Sequence, residues 1–196
     1  MSDVKEFQHT IGKEVSYSDI GLHSGKDVLM TVKPAAPNTG IIFVRTDLEG
    51  RPEIKACPEN VSSTVKATTL SANGAEVFTV EHLMAALSMM AIDNIIIEMS
   101  SPEPPVTDGS AKVFCEILEE AGIVEQEAER KIYALDRTFS VYDGDRYIIV
   151  HPYDGFRVSF TSVFGGSKKA TNPTKVISFS SCFSFPVPFL VSPFLF

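Results

Sequence analysis

The stretch Phe78-Thr79-Val80-Glu81-His82-Leu83 opens the clearest helical pattern in this chain of 196 residues. Behind it, apolar side chains recur three or four residues apart: Leu83, Ala86, Leu87 and Met90. This spacing predicts a helix over about 80–91 that buries one face. Thr79 stands at the expected N-cap, where its hydroxyl can accept a hydrogen bond from a first-turn N–H. The buried face requires a partner layer, so we expect strands on either side of this stretch.

The first turn of this helix carries a carboxylate and an imidazole side by side, Glu81 and His82. The positive end of a helix favours a negative side chain at this place. A neutral imidazole can bind a metal ion, and an adjacent carboxylate can accept a proton from metal-bound water. The pair is therefore a candidate metal-and-base site for hydrolysis. The alternative is a glutamate that only stabilises the first turn, beside a histidine that is packed or solvated.

Alternation of apolar and polar residues predicts short strands around the helix, at Asp27–Lys33, Ile41–Val44, Thr68–Ala72, Glu76–Thr79 and Asn94–Met99. In the first of them, Val28, Met30 and Val32 share one face. Asn73-Gly74 is typical of a two-residue hairpin turn between two of these strands. Pro34–Gly40, with two prolines, predicts a loop.

A second helix is predicted from about Asp108, which we expect to cap it, to Gly122, which we expect to end it. Its apolar stripe is Val113, Phe114, Ile117, Leu118 and Ala121. Two helices on one face of a strand-rich segment predict an α+β fold, a two-layer sandwich of a mixed sheet with two helices.

From Lys131 the pattern becomes rich in strands again, at Ile132–Val141, Arg146–His151 and Phe156–Val163, with a turn at Asp143-Gly144-Asp145. The terminal segment Val176–Phe196 is different in composition, with six phenylalanines and five serines in 21 residues. This biased, uncharged stretch fits neither a strand-and-turn alternation nor a polar tail. We expect the segment before about residue 125 to be the only stably folded unit, because isolated strands are marginal in water.

Composition excludes several classes of function and compartment. The net charge of −8 and the absence of a basic stripe argue against nucleic acid as a partner. Three cysteines, an odd number without Cys-x-x-Cys spacing, fit a reducing compartment, and from the polar N-terminus we expect no signal peptide. Three prolines interrupt the uncharged stretch 176–196, so we expect no stable membrane insertion. These features together predict a cytoplasmic protein.

Several motifs occur in an order and spacing typical of one family: Gly21-Leu22-His23-Ser24-Gly25-Lys26, Lys33–Ile41, Arg45-Thr46-Asp47-Leu48, the stretch around Glu81-His82, Ile92-Asp93-Asn94 and Pro102–Ala111. With them the chain resembles UDP-3-O-acyl-N-acetylglucosamine deacetylase, the zinc amidohydrolase of lipid A biosynthesis. The resemblance runs from about residue 7 to about residue 162. It implies two domains of similar topology, Zn²⁺ as cofactor, and a UDP-3-O-acyl-N-acetylglucosamine substrate whose N-acetyl group is hydrolysed.

The resemblance assigns roles to individual residues. His82 would be a zinc ligand and Glu81 the general base, because zinc acidifies its bound water and polarises the carbonyl. His23 would contact substrate, although a polar residue in a turn between strands is an equal alternative. Thr64 and Lys66 match more loosely a stretch that borders the substrate pocket. Asp108 and Gly109 belong to a family motif, but their expected role is structural, as cap and turn.

The family's remaining site residues are missing from this sequence. Family members add a second histidine and an aspartate four residues apart, a neighbouring lysine, and a histidine that acts as general acid. The histidines here are His9, His23, His82 and His151. His151 and Asp154 are three residues apart, so they do not form that motif. Since a catalytic zinc normally keeps three protein ligands, one of which is recognisable here, we expect an inactive, truncated enzyme.

These considerations divide the chain into a deacetylase-like first domain at 1–128, the beginning of an incomplete second domain of similar type at 129–165, and an atypical Phe/Ser-rich terminus at 166–196. A second hypothesis is a non-catalytic domain derived from the deacetylase, which binds a nucleotide-sugar or a protein partner and hydrolyses nothing.

Overall fold

The computed structural model describes residues 6–131, 135–144, 146–153, 156–164 and 175–183. The chain divides into two compact units, and the boundary along the sequence lies between Arg130 and Lys131. The strands described in the first unit are β1 (Phe7–Ile11), β2 (Val15–Ile20), β3 (Asp27–Pro34), β4 (Ile41–Arg45), β5 (Glu53–Lys55), β6 (Val61–Ser63), β7 (Thr69–Ala72), β8 (Ala75–Phe78), β9 (Ile95–Met99) and β10 (Ile123–Glu129). Its helices are α1 (Glu81–Met89) and α2 (Lys112–Ala121).

The centre of the first unit is a five-stranded mixed sheet with the order β2-β3-β9-β4-β5. β4 and β9 pair in parallel, with Ile41 opposite Ile95, and the other pairs are antiparallel. The predicted apolar face of β3 is confirmed, because Val28, Met30 and Val32 are all buried. Alternation in β3 thus gives the sheet one face for the core.

The two helices share one core with this sheet. α1 buries Leu83, Met84, Ala86 and Leu87, and α2 buries Phe114, Ile117, Leu118 and Ala121. All of them belong to a single cluster with sheet residues such as Phe43 and Ile97. The predicted α+β fold is confirmed. Within the residues described, neither helix has the length and apolarity needed to cross a membrane.

The predicted turn between β7 and β8 and the predicted end of α2 are both confirmed. β7 and β8 form the expected hairpin, and its turn residues Asn73 and Gly74 have φ of 53° and 74°. A positive φ at both positions is what a type I′ turn requires, and Asn-Gly satisfies it at low cost. Gly122, with φ 74°, ends α2 as predicted.

Both predicted helix caps are wrong. α1 begins at Glu81 after a helical Val80, with no side-chain cap, and Thr79 has a φ of 57°. α2 begins only at Lys112. Asp108 instead accepts hydrogen bonds from the N–H and hydroxyl of Ser110, at 2.9 and 2.8 Å, and the Ser110 oxygen accepts from the Lys112 N–H at 3.1 Å. The loop that precedes α2 therefore provides an acceptor for the Lys112 N–H at the start of the helix, the Ser110 hydroxyl, which Asp108 in turn holds in place.

The first unit is closed by a β1–β10 pair that the sequence did not predict. Beside it lies a network of side-chain amides. The Asn94 amide nitrogen donates to Gln8 at 2.8 Å and to Gln126 at 2.7 Å. Gln8 donates to Asn38 at 2.9 Å, and Gln126 donates to the carbonyl of Ala35 at 2.8 Å. Burying a side-chain amide costs free energy unless its hydrogen bonds are made, and here they are made within the network. These hydrogen bonds connect β1, β10 and the loop 35–40.

The described strands of the second unit are β11 (Phe139–Asp143), β12 (Arg146–Val150), β13 (Phe156–Phe164) and β14 (Lys175–Phe183). They form two antiparallel pairs, β11–β12 and β13–β14. The predicted strand Ile132–Val141 is too long at its start, because 135–138 are not in a strand and 132–134 lie outside the described residues. The interpretation that 176–196 does not fit a strand-and-turn alternation is wrong for 176–183, which belongs to β14, and residues 184–196 lie outside the described part.

Substitution of Arg130 tests how much its contacts at the end of β10 stabilise the first unit. Its side chain, 7% exposed, donates to Asp93 at 2.8 Å and to the Ala91 carbonyl at 2.7 Å. Arg130→Ala leaves both acceptors without this donor, so we expect the free energy of unfolding to fall by about 2–4 kcal/mol. Arg51→Ala is the control, because Arg51 is 55% exposed in its ion pair with Glu98 and should cost about 0–1 kcal/mol. Equal losses in urea titrations of both variants would contradict this.

Limited proteolysis tests where the stable unit ends. Because β10 pairs with β1 as far as Glu129, we expect this end to lie beyond residue 125. The Arg130 N–H donates to the Glu6 carbonyl at 2.8 Å, whereas Lys131 and Arg137 are exposed. We expect trypsin to leave a resistant fragment that ends at Lys131 or Arg137, because cleavage needs a locally opened backbone. Mass spectrometry of the fragment gives its end. A resistant fragment that retains β14 would show that the second unit is equally stable.

Candidate active site

The candidate site surrounds the N-terminus of α1. Val80 is completely buried, Glu81 is half-buried and His82 is exposed. Thr79, immediately before them, has a left-handed backbone, which is rare for a β-branched residue and costs about 1–3 kcal/mol. This conformation turns the chain sharply from β8 into α1. It therefore determines where the first turn, with Glu81 and His82, begins.

Glu81 is held by the backbone of the loop that follows β6. Its Oε1 accepts a hydrogen bond from the Thr68 N–H. Thr68 is buried, but Thr64 and Lys66, in the same loop, are exposed, and Lys66 has a φ of 65°. The structure thus attaches the loop of Thr64 and Lys66 to Glu81 through Thr68, while the side chains of Thr64 and Lys66 face solvent.

A cleft of about 70 Å³ adjoins His82. It is lined by four segments, the turn after β2, the start of α1, the loop before α2 and α2 itself, through Leu22, Thr79, His82, Pro104, Pro105, Val106, Gly109 and Phe114. The predicted substrate contact His23 follows Leu22 and is exposed. The fold therefore brings the His23 turn, residues 21–26, and His82 to one cleft, although His23 and His82 are 59 positions apart in the sequence.

Glu103 is the residue at this site that sequence analysis missed. It is completely buried, and its carboxylate accepts hydrogen bonds from the N–H groups of His23, at 3.0 and 3.1 Å, and Ser24, at 2.8 Å. Burial alone would raise the pKa of this carboxyl. The N–H of Ser24, the nearby Thr79 hydroxyl and the N–H of His23 outweigh burial and hold the pKa below its ordinary value. A lone acid within Pro102-Glu103-Pro104-Pro105 was the available signal.

The donor set does not complete a zinc site. A catalytic zinc normally keeps three protein ligands, and within the described ranges no group of three or more histidine, cysteine, aspartate or glutamate side chains can hold a metal. His82 is one possible donor. His9 lies on β1, 4.0 Å from Asp93, and His151 contacts the Thr138 hydroxyl at 3.0 Å in the second unit. Of the histidines in the part of the chain that the structure describes, His82 is the one that lines the cleft, and it fits one coordination position of a zinc ion.

Comparison with known proteins shows similarity along most of the chain. A model of the family described as UDP-3-O-acyl N-acetylglycosamine deacetylase matches residues 8–183. The motifs predicted a resemblance that stops near residue 162, so this limit is corrected: the match continues into β14. The additional matched residues include part of the Phe/Ser-rich segment.

Individual relatives carry the name UDP-3-O-acyl-N-acetylglucosamine deacetylase. The relative from Marinobacter nauticus is 43% identical over 175 residues, which cover 89% of this chain and 58% of the relative. The Hahella chejuensis relative is 42% identical with the same coverage, and that from Myxococcus xanthus is 46% identical over 80% of this chain and 50% of its own length. The chain thus spans about half the length of the curated relatives it matches. Because the family match covers nearly all of the sequence, the chain belongs to the UDP-3-O-acyl N-acetylglycosamine deacetylase family.

Proposed function

We propose that this chain supplies part of the active site of a zinc-dependent deacetylase, which hydrolyses the N-acetyl group of UDP-3-O-acyl-N-acetylglucosamine in lipid A biosynthesis. The observation that carries the proposal is the adjacency of Glu81 and His82 at the start of α1, with His82 in the cleft. Membership of the deacetylase family supports the same reaction. In this proposal residues 1–128 form the first domain, 129–165 begin a second, and the protein is cytoplasmic.

Each site residue has a distinct role in the proposal. Glu81, fixed by the Thr68 N–H, accepts the proton of the attacking water as general base. His82 supplies one metal ligand, and zinc, when bound, acidifies water and polarises the amide carbonyl. His23 contacts substrate from the turn beside the cleft, and Thr64 and Lys66 contact it from the loop anchored at Thr68. The other zinc ligands and the general acid are beyond what the described residues offer.

The proposed roles of Glu81 and His82 are separable in a hybrid, in which the Marinobacter relative supplies the part of its length that this chain does not match. We expect His82→Ala to lose zinc and activity. Glu81→Ala should keep zinc and lose about 10²–10⁴-fold in kcat, because it removes only the proton acceptor. Acetate release and zinc content are measured for each variant.

The exposed Glu116→Ala on α2 is the matched control, and it should stay close to the unsubstituted hybrid. A Glu81→Ala hybrid within about tenfold of the parent would defeat the general-base role. A hybrid that folds and binds UDP-3-O-acyl-N-acetylglucosamine but releases no acetate would favour a binding domain derived from the enzyme.

The 196-residue chain by itself should bind zinc poorly and show no deacetylase activity, because the described residues offer one ligand of about three. Zinc is measured by metal analysis after dialysis, and activity by acetate release. Stoichiometric zinc after dialysis, together with acetate release, would contradict the prediction and would point to ligands outside the described residues.

A further inference from the structure

The His23 turn, residues 21–26, is held by the buried carboxylate of Glu103. The turn closes on itself through two backbone hydrogen bonds, from Gly21 to the Lys26 carbonyl at 2.9 Å and from Gly25 to the Gly21 carbonyl at 3.0 Å. The consecutive N–H groups of His23 and Ser24 then converge on Glu103. Hydrogen bonds to an ionised acceptor are about twice as strong as neutral ones, so this contact dominates the anchoring of the turn.

Burial makes this anchor costly. A buried carboxylate loses its hydration and is tolerated only when hydrogen bonds or counter-charges replace it. None of the ion pairs found among the described residues involves Glu103, so hydrogen-bond donors provide its compensation, chiefly the N–H groups of His23 and Ser24 together with the nearby Thr79 hydroxyl. Because the buried charge of Glu103 needs these hydrogen bonds, it fixes the N–H groups of His23 and Ser24 at hydrogen-bond distance from the carboxylate.

Close packing leaves the turn little freedom to shift toward the carboxylate. A Cβ added to Gly21 would lie 2.2 Å from Ser24 Oγ and 2.6 Å from Glu103 Oε2. Gly21 also forms a β-bridge with Pro105, and the Val106 N–H donates to the Ile20 carbonyl at 2.8 Å. Glycine at position 21 is therefore what allows the turn to close over Glu103.

The segment that carries Glu103 also contacts the approach to α1. The Phe78 N–H donates to the Pro102 carbonyl at 2.9 Å, one residue before Thr79. Thus residues 102–103 contact the strand that leads into His82 on one side and the His23 turn on the other. Leu22 of the turn and His82 of α1 both line the cleft.

We propose that Glu103 is a positioning residue, which fixes the His23 turn beside the α1 N-terminus and so sets the shape of the cleft next to His82. This inference rests on the proposed function, since it assigns the cleft to substrate. Glu103 is completely buried and does not line the cleft, so it acts through the backbone of the turn. Its loss should therefore alter substrate binding at the cleft more than proton transfer by Glu81.

The structural test uses the chain itself and NMR. Glu103→Gln keeps the side-chain shape without the charge, Gly21→Ala displaces the turn with the charge intact, and the exposed Glu116→Gln is the control. We expect amide hydrogen exchange at His23 and Ser24 to accelerate at least about tenfold in both test variants, since each loses a charge-assisted hydrogen bond. Nuclear Overhauser contacts across the cleft between Leu22 and His82 should weaken, while core amides such as Ile97 keep their protection.

The double variant Glu103→Gln/Gly21→Ala distinguishes one shared mechanism from two. If both substitutions act by releasing the turn, the double variant should exchange at His23 and Ser24 no faster than the faster single variant. Unchanged exchange at these two amides would overturn the proposal. Equal acceleration in the core, or unfolding of both single variants, would also overturn it, because Glu103 would then serve the fold in general.

The functional test uses the hybrid enzyme. Glu103→Gln and Gly21→Ala should raise KM for UDP-3-O-acyl-N-acetylglucosamine by about tenfold with kcat within about threefold, the pattern of a lost binding interaction. A loss confined to kcat would overturn the positioning role. A hybrid without any activity would defeat the proposed function, whereas the exchange and Overhauser results in the chain alone would still decide whether Glu103 holds the turn.

Discussion

The parallel pairing of β4 and β9 is the constraint on which the arrangement of the first unit depends. Parallel neighbours cannot be joined by a hairpin, so the chain must cross the sheet between them, and α1 is the last element of that crossing. The start of α1 consequently lies near the carboxyl ends of β4 and β9, with the loop that leaves β9. Ligand sites in sheets with parallel strands commonly occupy this edge. The cleft beside His82 adjoins this start of α1.

Local patterns predicted the elements whose residues interact with near neighbours. The Asn73-Gly74 turn, the apolar face of β3 and the buried faces of both helices depend on spacing alone, and spacing is visible in the sequence. The pair Glu81-His82 was found because adjacency on one turn is also local. The same logic failed for the caps, since the left-handed Thr79 and the Asp108–Ser110 hydrogen bond depend on how loops pack.

Long-range partners explain what sequence analysis missed. Glu103 contacts Ser24 and His23, which precede it in the chain by 79 and 80 positions. No local pattern distinguishes Glu103 from a solvated glutamate. β10 is polar at most positions and is recognisable as a strand only once β1 lies beside it. β14 pairs along nine residues with β13, and its serines alternate with larger apolar residues across only part of its length. Pairing, rather than composition, defines these strands.

The contact between Glu103 and the turn uses the main chain of His23, and the side chains of Leu22 and His23 take no part in it. Backbone recognition separates the shape of the turn from the chemistry it presents. Positions 22 and 23 can therefore accept different side chains through evolution, or in the laboratory, on one fixed scaffold. Position 21 has no such latitude, because any side chain there meets the carboxylate. The turn is a place where specificity can change without rebuilding the fold.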